Sequence, residues 1–170
     1  RPPRSTLFPY TTLFRSPLKV YIATPAGESQ YLEAVKSAFN TWQVRSDDLV
    51  SFLFVPEGSH ADIHVNFTDD PSKLASPIEG AVTNFRDGNA GRISATTLIL
   101  TRRDGGPISR SQMLSIALHE IGHALGINGH SSNSEDIMFM SVDKNQTTLS
   151  KRDVETLKAL YKLKPGLLEK

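Results

Sequence analysis

The chain has 170 residues, of which 38% are hydrophobic and 22% charged, with 11 Gly, 10 Pro and no Cys. This composition is typical of one globular domain, and it excludes a disordered chain, a collagen-like repeat and a disulfide-bonded scaffold. A formal charge of +1 argues against nucleic-acid binding. No apolar run reaches the roughly 18 residues needed to cross a bilayer.

The first sixteen residues, RPPRSTLFPYTTLFRS, have neither a helical nor a strand-like period, and they resemble the translation of a common sequencing-library adapter. We expect this segment to be an artefact outside the fold; the alternative is a natural basic N-terminal arm. Without Arg1, Arg4 and Arg15 the chain has 16 basic against 18 acidic residues, a formal charge of −2. Residues 17–170 are then predicted to form one domain. The sequence carries no information on a signal peptide or pro-segment upstream of that domain.

Hydrophobic periodicity predicts the elements of the first half of the domain. Alternation indicates strands at residues 18–22 and 63–67, and a short apolar run indicates another at 51–55. Between the first two strands, apolar residues recur with a helical period, which predicts a helix that packs one face on a sheet. This stripe comprises Tyr31, Leu32, Val35, Ala38, Phe39 and Trp42. Residues 81–85 and 93–100 are again strand-like, and the Gly- and Asn-containing turn between them predicts a hairpin.

Two more helices are predicted in the second half. Ser109 and Gln112 have the spacing of a capping box, and the helix that follows ends at Gly126. Its apolar stripe comprises Met113, Ile116, Ala117, Ile121, Ala124 and Leu125. Ser150 and Asp153 are predicted to cap a third helix with Val154, Leu157, Leu160 and Tyr161 on one face, which ends before Pro165-Gly166.

The segment HEIGHALGINGH, residues 119–130, contains the spacing of a zinc site. His119 and His123 are four residues apart on one helix face, so both imidazoles can reach one ion. A hydrolytic zinc site needs a third protein ligand and an open position. Because Gly126 allows a sharp turn, His130 is the natural third ligand. The alternative, a helix whose histidines make only hydrogen bonds, leaves two imidazoles and a carboxylate desolvated without an ion to pair them.

The longer stretch HEIGHALGINGHSSNSEDIM resembles the active site of the metzincin metallopeptidases, and among them the matrixins. The matrixin pattern HExxHxxGxxH is followed by Ser and a Met-containing turn; here Ser131 follows His130, and Met138 lies where that turn is expected. The resemblance covers nearly all of residues 17–163. It implies an α+β, zincin-like fold: a twisted, mixed five-stranded sheet with three helices, of which one carries HExxH. It also implies that Met138 forms an apolar floor beneath the imidazoles.

Two departures from the matrixin pattern concern the third ligand and the Met-turn. Three residues separate Gly126 from His130 where the family has two, so the loop must bulge by one residue, which Gly129 facilitates. The turn lacks the Pro that is common after the Met. It also has Met140 where astacin-like and serralysin-like relatives have a Tyr that approaches the metal, which argues against those groups.

The predicted activity is that of a zinc-dependent endopeptidase. Zinc lowers the pKa of its bound water towards about 7, and Glu120 is the predicted general base. An extended peptide or protein substrate is expected along an edge strand, pairing with the main chain of Gly80, Ala81, Val82 and Thr83. A side-chain pocket is expected against residues 139–142, which include Phe139.

Other functions and ligands remain open at this stage. One alternative is a zinc-stabilised, non-catalytic binding module, although a structural site has no need of Glu120 and closes with a fourth protein ligand. Another is a zinc hydrolase that acts on something other than protein. Calcium at Asp62 or Asp87 is possible, whereas His60 and His64 are not predicted to hold a second zinc. We expect a monomer, and the resemblance implies a secreted or cell-envelope location.

Overall fold

The computed structural model describes residues 17–23, 29–74, 81–87, 93–141 and 146–163. The predicted adapter-derived segment, Gly80, the turn of the predicted hairpin and the predicted stop at Pro165-Gly166 lie outside the described residues.

Five strands form one mixed sheet in the order β2-β1-β3-β5-β4. They are β1 (Leu18–Ile22), β2 (Phe52–Phe54), β3 (Ile63–Thr68), β4 (Ala81–Asp87) and β5 (Ile93–Leu100). The pairs β1–β2, β1–β3 and β3–β5 are parallel, whereas β4 runs antiparallel to β5 at the end of the sheet. The sheet confirms the predicted architecture, including the antiparallel pairing that the turn signal indicated. Two short strands, β6 (Arg102–Arg103) and β7 (Gly106–Pro107), form a separate ribbon.

The described residues also form three α-helices, α1 (Ser29–Arg45), α2 (Arg110–Ala124) and α3 (Lys151–Leu163), in addition to a 3₁₀ turn at Pro71–Lys73. Five of the six residues predicted for the stripe of α1 are buried, and Leu32 is half-buried at the border of the core. The indole of Trp42 donates to the carbonyl of Leu118 at 2.9 Å, which fixes α1 against α2. None of the described helices combines the length and apolarity that crossing a membrane requires.

The predicted caps determine where α2 and α3 begin. The Ser109 hydroxyl accepts from the amide of Gln112, whose side chain accepts in return from the Ser109 amide. The same reciprocal pair forms between Ser150 and Asp153. At the other end of α2, Gly126 has φ of +92°, a conformation that glycine adopts without steric cost. The start and the end of the motif-bearing helix are therefore both set by local sequence.

Candidate metal centre

Helix α2 presents His119 and His123 with their ligand atoms facing each other. The Nδ1 atom of His119 lies 2.8 Å from the carbonyl oxygen of Ile137, and that of His123 lies 2.8 Å from the carbonyl of Ile127. Because a carbonyl oxygen only accepts, each Nδ1 carries the proton and donates it. The lone pair of each Nε2 is then directed at the other ring, and these two atoms are 3.1 Å apart. Carbonyl contacts of this kind orient histidine ligands in metal sites.

The loop after α2 brings His130 to the same point. Gly126 and Gly129 have φ of +92° and +85°, and these two turns reverse the chain. The ring centroid of His130 lies 5.1 Å from those of both His119 and His123. One ligand atom from each of the three rings lies within 4.8 Å of the others. The extra residue in this loop therefore does not keep the third imidazole away.

This set of donors fits a zinc ion. Two Nε2 lone pairs at 3.1 Å repel each other unless a cation lies between them. Tetrahedral zinc with nitrogen ligands at about 2.1 Å holds them about 3.4 Å apart. Burial lowers the pKa of His119 to about 4, so the ring is neutral at pH 7, which is the form that binds metal. Among the described residues, no other three His, Cys, Asp or Glu side chains converge in this way.

Glu120 extends from the same helix towards the edge of the sheet. Its side chain is buried, and its Oε2 atom accepts a hydrogen bond of 2.5 Å from the hydroxyl of Thr83 on β4. Of the residues predicted to contact substrate, Ala81 is buried, and Val82 and Thr83 are half-buried on this strand. The sequence predicts only a main-chain contact for Thr83. The structure adds a side-chain contact with the predicted general base.

The predicted Met-turn is hydrogen-bonded to His119 and to the segment after His130. Met138 is buried, and its main-chain carbonyl accepts from the amide of Ser131 at 2.7 Å. Phe139, predicted to line the substrate pocket, is half-buried and forms an isolated β-bridge with Ser131. Residue 142, the last residue predicted for that pocket, lies outside the described residues. Since the carbonyl of Ile137 accepts from His119, the turn and the ring of His119 are held together.

Comparison with known proteins agrees with this geometry. The family model of the matrixins matches residues 18–162. The chain belongs to the matrixin family. This matrixin is 28% identical to Metalloendoproteinase 5-MMP of Arabidopsis thaliana over 156 residues, which cover 80% of the chain and 42% of that protein. It is 45% identical to Metalloendoproteinase 2-MMP of Arabidopsis thaliana over 54 residues, 31% of the chain and 14% of that protein. The chain thus spans less than half the length of the relatives it matches.

Two residues that support the centre of this matrixin were not predicted in that role. Asp153, expected only as a helix cap, also accepts from the amides of Ile137 and Met138 at 2.9 and 3.2 Å, so it anchors the Met-turn. Gly122 lies between the two helical histidines, and a Cβ atom there would be 2.3 Å from the sulfur of Met138. A glycine inside an otherwise regular helix was the signal that pointed to a close approach.

A polar cluster ties the loop after His130 to α3. Asp136 is buried, accepts from the Ser131 hydroxyl at 2.6 Å and forms a bidentate ion pair with Arg152 at 2.8 to 3.1 Å. The hydrogen bonds from Arg152 lower the pKa of Asp136 to about 2. This carboxylate therefore stays ionised, and it fixes the chain directly after the third imidazole.

The other predicted sites have ordinary surroundings. The ring of His64 packs edge-on against Tyr21 at 6.0 Å, and His60 is exposed. Asp62 is buried and accepts from the amide of Lys19 at 2.8 Å. The side chain of Asp87 lies outside the described residues, so calcium at Asp62 or Asp87 stays a prediction.

Proposed function

We propose that this matrixin domain is a zinc-dependent endopeptidase that hydrolyses internal peptide bonds of proteins or peptides. The convergence of three imidazoles beside a buried glutamate carries this proposal. His119, His123 and His130 would hold the zinc ion. When bound, the ion activates water and polarises the scissile carbonyl.

Glu120 is the general base in this proposal. A carboxylate adjacent to the metal ligands can take a proton from the attacking water and pass it to the leaving amine. Its neighbour in sequence, His119, is a proposed ligand, so the base and two of the three ligands, His119 and His123, are carried by one helix. The presence of Glu120 beside the ligands argues against a non-catalytic binding module, because such a module does not require a base at this position.

The substrate in this proposal extends along β4. This strand is the last of the sheet, and within the described residues no other strand pairs with its outer side. A peptide that adds to this edge gains main-chain hydrogen bonds with residues 80–83, which favours an internal segment over a free terminus. Met138 forms the floor of the site, and Phe139 contributes to a side-chain pocket. We also propose that the domain acts as a monomer in a secreted or cell-envelope protein.

The experiment compares the wild type with Glu120→Ala. Zinc per chain is measured by metal analysis, and cleavage of a generic unfolded protein is measured in parallel. We expect Glu120→Ala to retain zinc and to lose activity by about 10²- to 10⁴-fold, the usual contribution of a general base. The exposed Glu155→Ala on α3 is the matched control and is expected to retain both.

Two other outcomes contradict the proposal. Equal activity of the wild type and Glu120→Ala excludes Glu120 as the base. A wild type that binds zinc without cleaving any protein favours the binding module or a hydrolase of another substrate class.

A further inference from the structure

We infer that Thr83 is a positioning residue for Glu120, and that Thr97 in turn orients the hydroxyl of Thr83. The inference rests on the proposed role of Glu120 as the base. It assigns the edge strand a function beyond the main-chain binding of substrate, since a side chain of this strand would set where the carboxylate points.

The direction of each hydrogen bond follows from the atoms involved. The Oγ1 atom of Thr83 lies 2.5 Å from Oε2 of Glu120 and 2.8 Å from Oγ1 of Thr97, with a longer approach of 3.4 Å to the carbonyl of Glu120. An ionised carboxylate only accepts, so the single hydroxyl proton of Thr83 is donated to Glu120. The hydroxyl of Thr97 must therefore donate to Thr83. The two hydrogen bonds thus form a series in one direction, from Thr97 to Thr83 and from Thr83 to Glu120.

The sheet holds Thr97, the first donor of this series of hydrogen bonds, in place. Thr83 and Thr97 are directly opposite each other in the β4–β5 pairing, and Thr97 is buried. On its other side, β5 pairs with β3, where Val65 is the partner of Thr97. Thr97 thus belongs to a strand that is hydrogen-bonded on both sides. Its position varies less than that of a loop residue.

Helix α2 holds Glu120, the acceptor at the other end of this series of hydrogen bonds. Glu120 has three rotatable side-chain bonds, and one fixed carboxylate oxygen removes most of their freedom. With Oε2 engaged by Thr83, the second oxygen has a defined direction relative to His119 and His123. Such preorganisation matters because a displacement of about 1 Å in a reacting group can cost about 100-fold in rate.

The test uses the full chain loaded with zinc and three substitutions. Thr83→Val keeps the shape of the side chain and removes the hydroxyl, and Thr83→Ser keeps the hydroxyl. Thr96→Val is the matched control, since Thr96 is exposed on the same strand as Thr97. We expect Thr83→Val to lower kcat by about 10- to 100-fold, the range for residues that orient a site from outside, with KM changed less than about twofold. Thr83→Ser is expected to recover most of the kcat that Thr83→Val loses, and Thr96→Val is expected to stay within about threefold of the wild type.

A second readout does not depend on turnover. The side-chain carboxyl carbon of Glu120 is observed by ¹³C NMR at one fixed pH and assigned by its disappearance in Glu120→Ala. We expect its chemical shift to change in Thr83→Val, and to return towards the wild-type value in Thr83→Ser. Zinc content is expected to remain one ion per chain in all three variants.

Three results overturn the inference: wild-type kcat in Thr83→Val, no recovery in Thr83→Ser, or loss of zinc in Thr83→Val together with activity. A zinc-loaded wild type without peptidase activity instead contradicts the proposed function. In that case the carboxyl resonance alone decides whether Thr83 holds Glu120.

Discussion

Position 122 is constrained more tightly than the HExxH pattern states. The pattern leaves the two residues between Glu120 and His123 free, yet Gly122 faces the Met-turn. A Cβ atom there would lie 2.3 Å from the sulfur of Met138 and 3.2 Å from the ring of Trp42. The absence of a side chain is what lets the turn approach the helix.

We therefore predict that Gly122→Ala destabilises the protein. Alanine improves helix propensity by up to about 1 kcal/mol, but overpacking of a buried contact costs about 1 to 3 kcal/mol. We expect a net loss of about 1 kcal/mol in the free energy of unfolding, measured by urea denaturation. Gly106→Ala is the control, because a Cβ atom at Gly106 meets nothing within 4 Å. An equally stable or more stable Gly122→Ala would show that Met138 moves aside without cost.

The loop that carries His130 and helix α3 are joined by Asp136. Its pKa is lowered from 3.8 to about 2, mainly by the hydrogen bonds of Arg152. A carboxylate with a lowered pKa in the folded state stabilises the fold above the unfolded pKa, and this contribution is lost as the pH falls from about 4 to about 2.

We predict that the stability difference between the wild type and Asp136→Asn depends on pH. It should decrease by about 2 kcal/mol between pH 6 and pH 2, as follows from a pKa lowered by about two units. Urea denaturation at a series of pH values measures it, and comparing two variants at each pH cancels the effects of zinc release common to both. The exposed Asp69→Asn serves as the control. A difference that is constant with pH would exclude the Asp136–Arg152 pair as its source.

The first described strand and the match to the matrixin family model start at the same residue. The first strand begins at Leu18, and the matrixin match also begins at residue 18. Residues 1–16, which we predict to be an adapter-derived artefact, precede both of these starting points. The domain is therefore expected to fold with or without them.

Deletion of residues 1–16 is accordingly predicted to leave thermal stability and zinc binding unchanged. We expect the Tm to shift by less than about 2 °C, which corresponds to less than about 1 kcal/mol for a domain of this size. Differential scanning calorimetry and metal analysis of both chains measure these quantities. A larger fall in Tm would show that the segment is a natural arm packed on the domain.

Much of the fold could be predicted because its signals are local. The alternation at residues 18–22, the helical stripe of α1 and the capping boxes at Ser109 and Ser150 each depend on side chains within one element. The spacing of His119 and His123 is equally local, since any helix places residues four apart on one face. The turn that Gly126 allows pointed to His130 as the third ligand, and the family pattern added the Met-turn.

The sequence by itself therefore determined the five strands of the main sheet, the three helices, the starts of α2 and α3, and the set of candidate ligands. Only the tertiary structure decided which partners these residues meet: Thr83 for Glu120, Ile137 for His119, Asp153 for the Met-turn and Met138 for Gly122. Periodicity and caps describe neighbours in the chain, whereas these contacts join residues 15 to 37 positions apart. Strand order and helix packing bring such residues together, and no local pattern encodes either one.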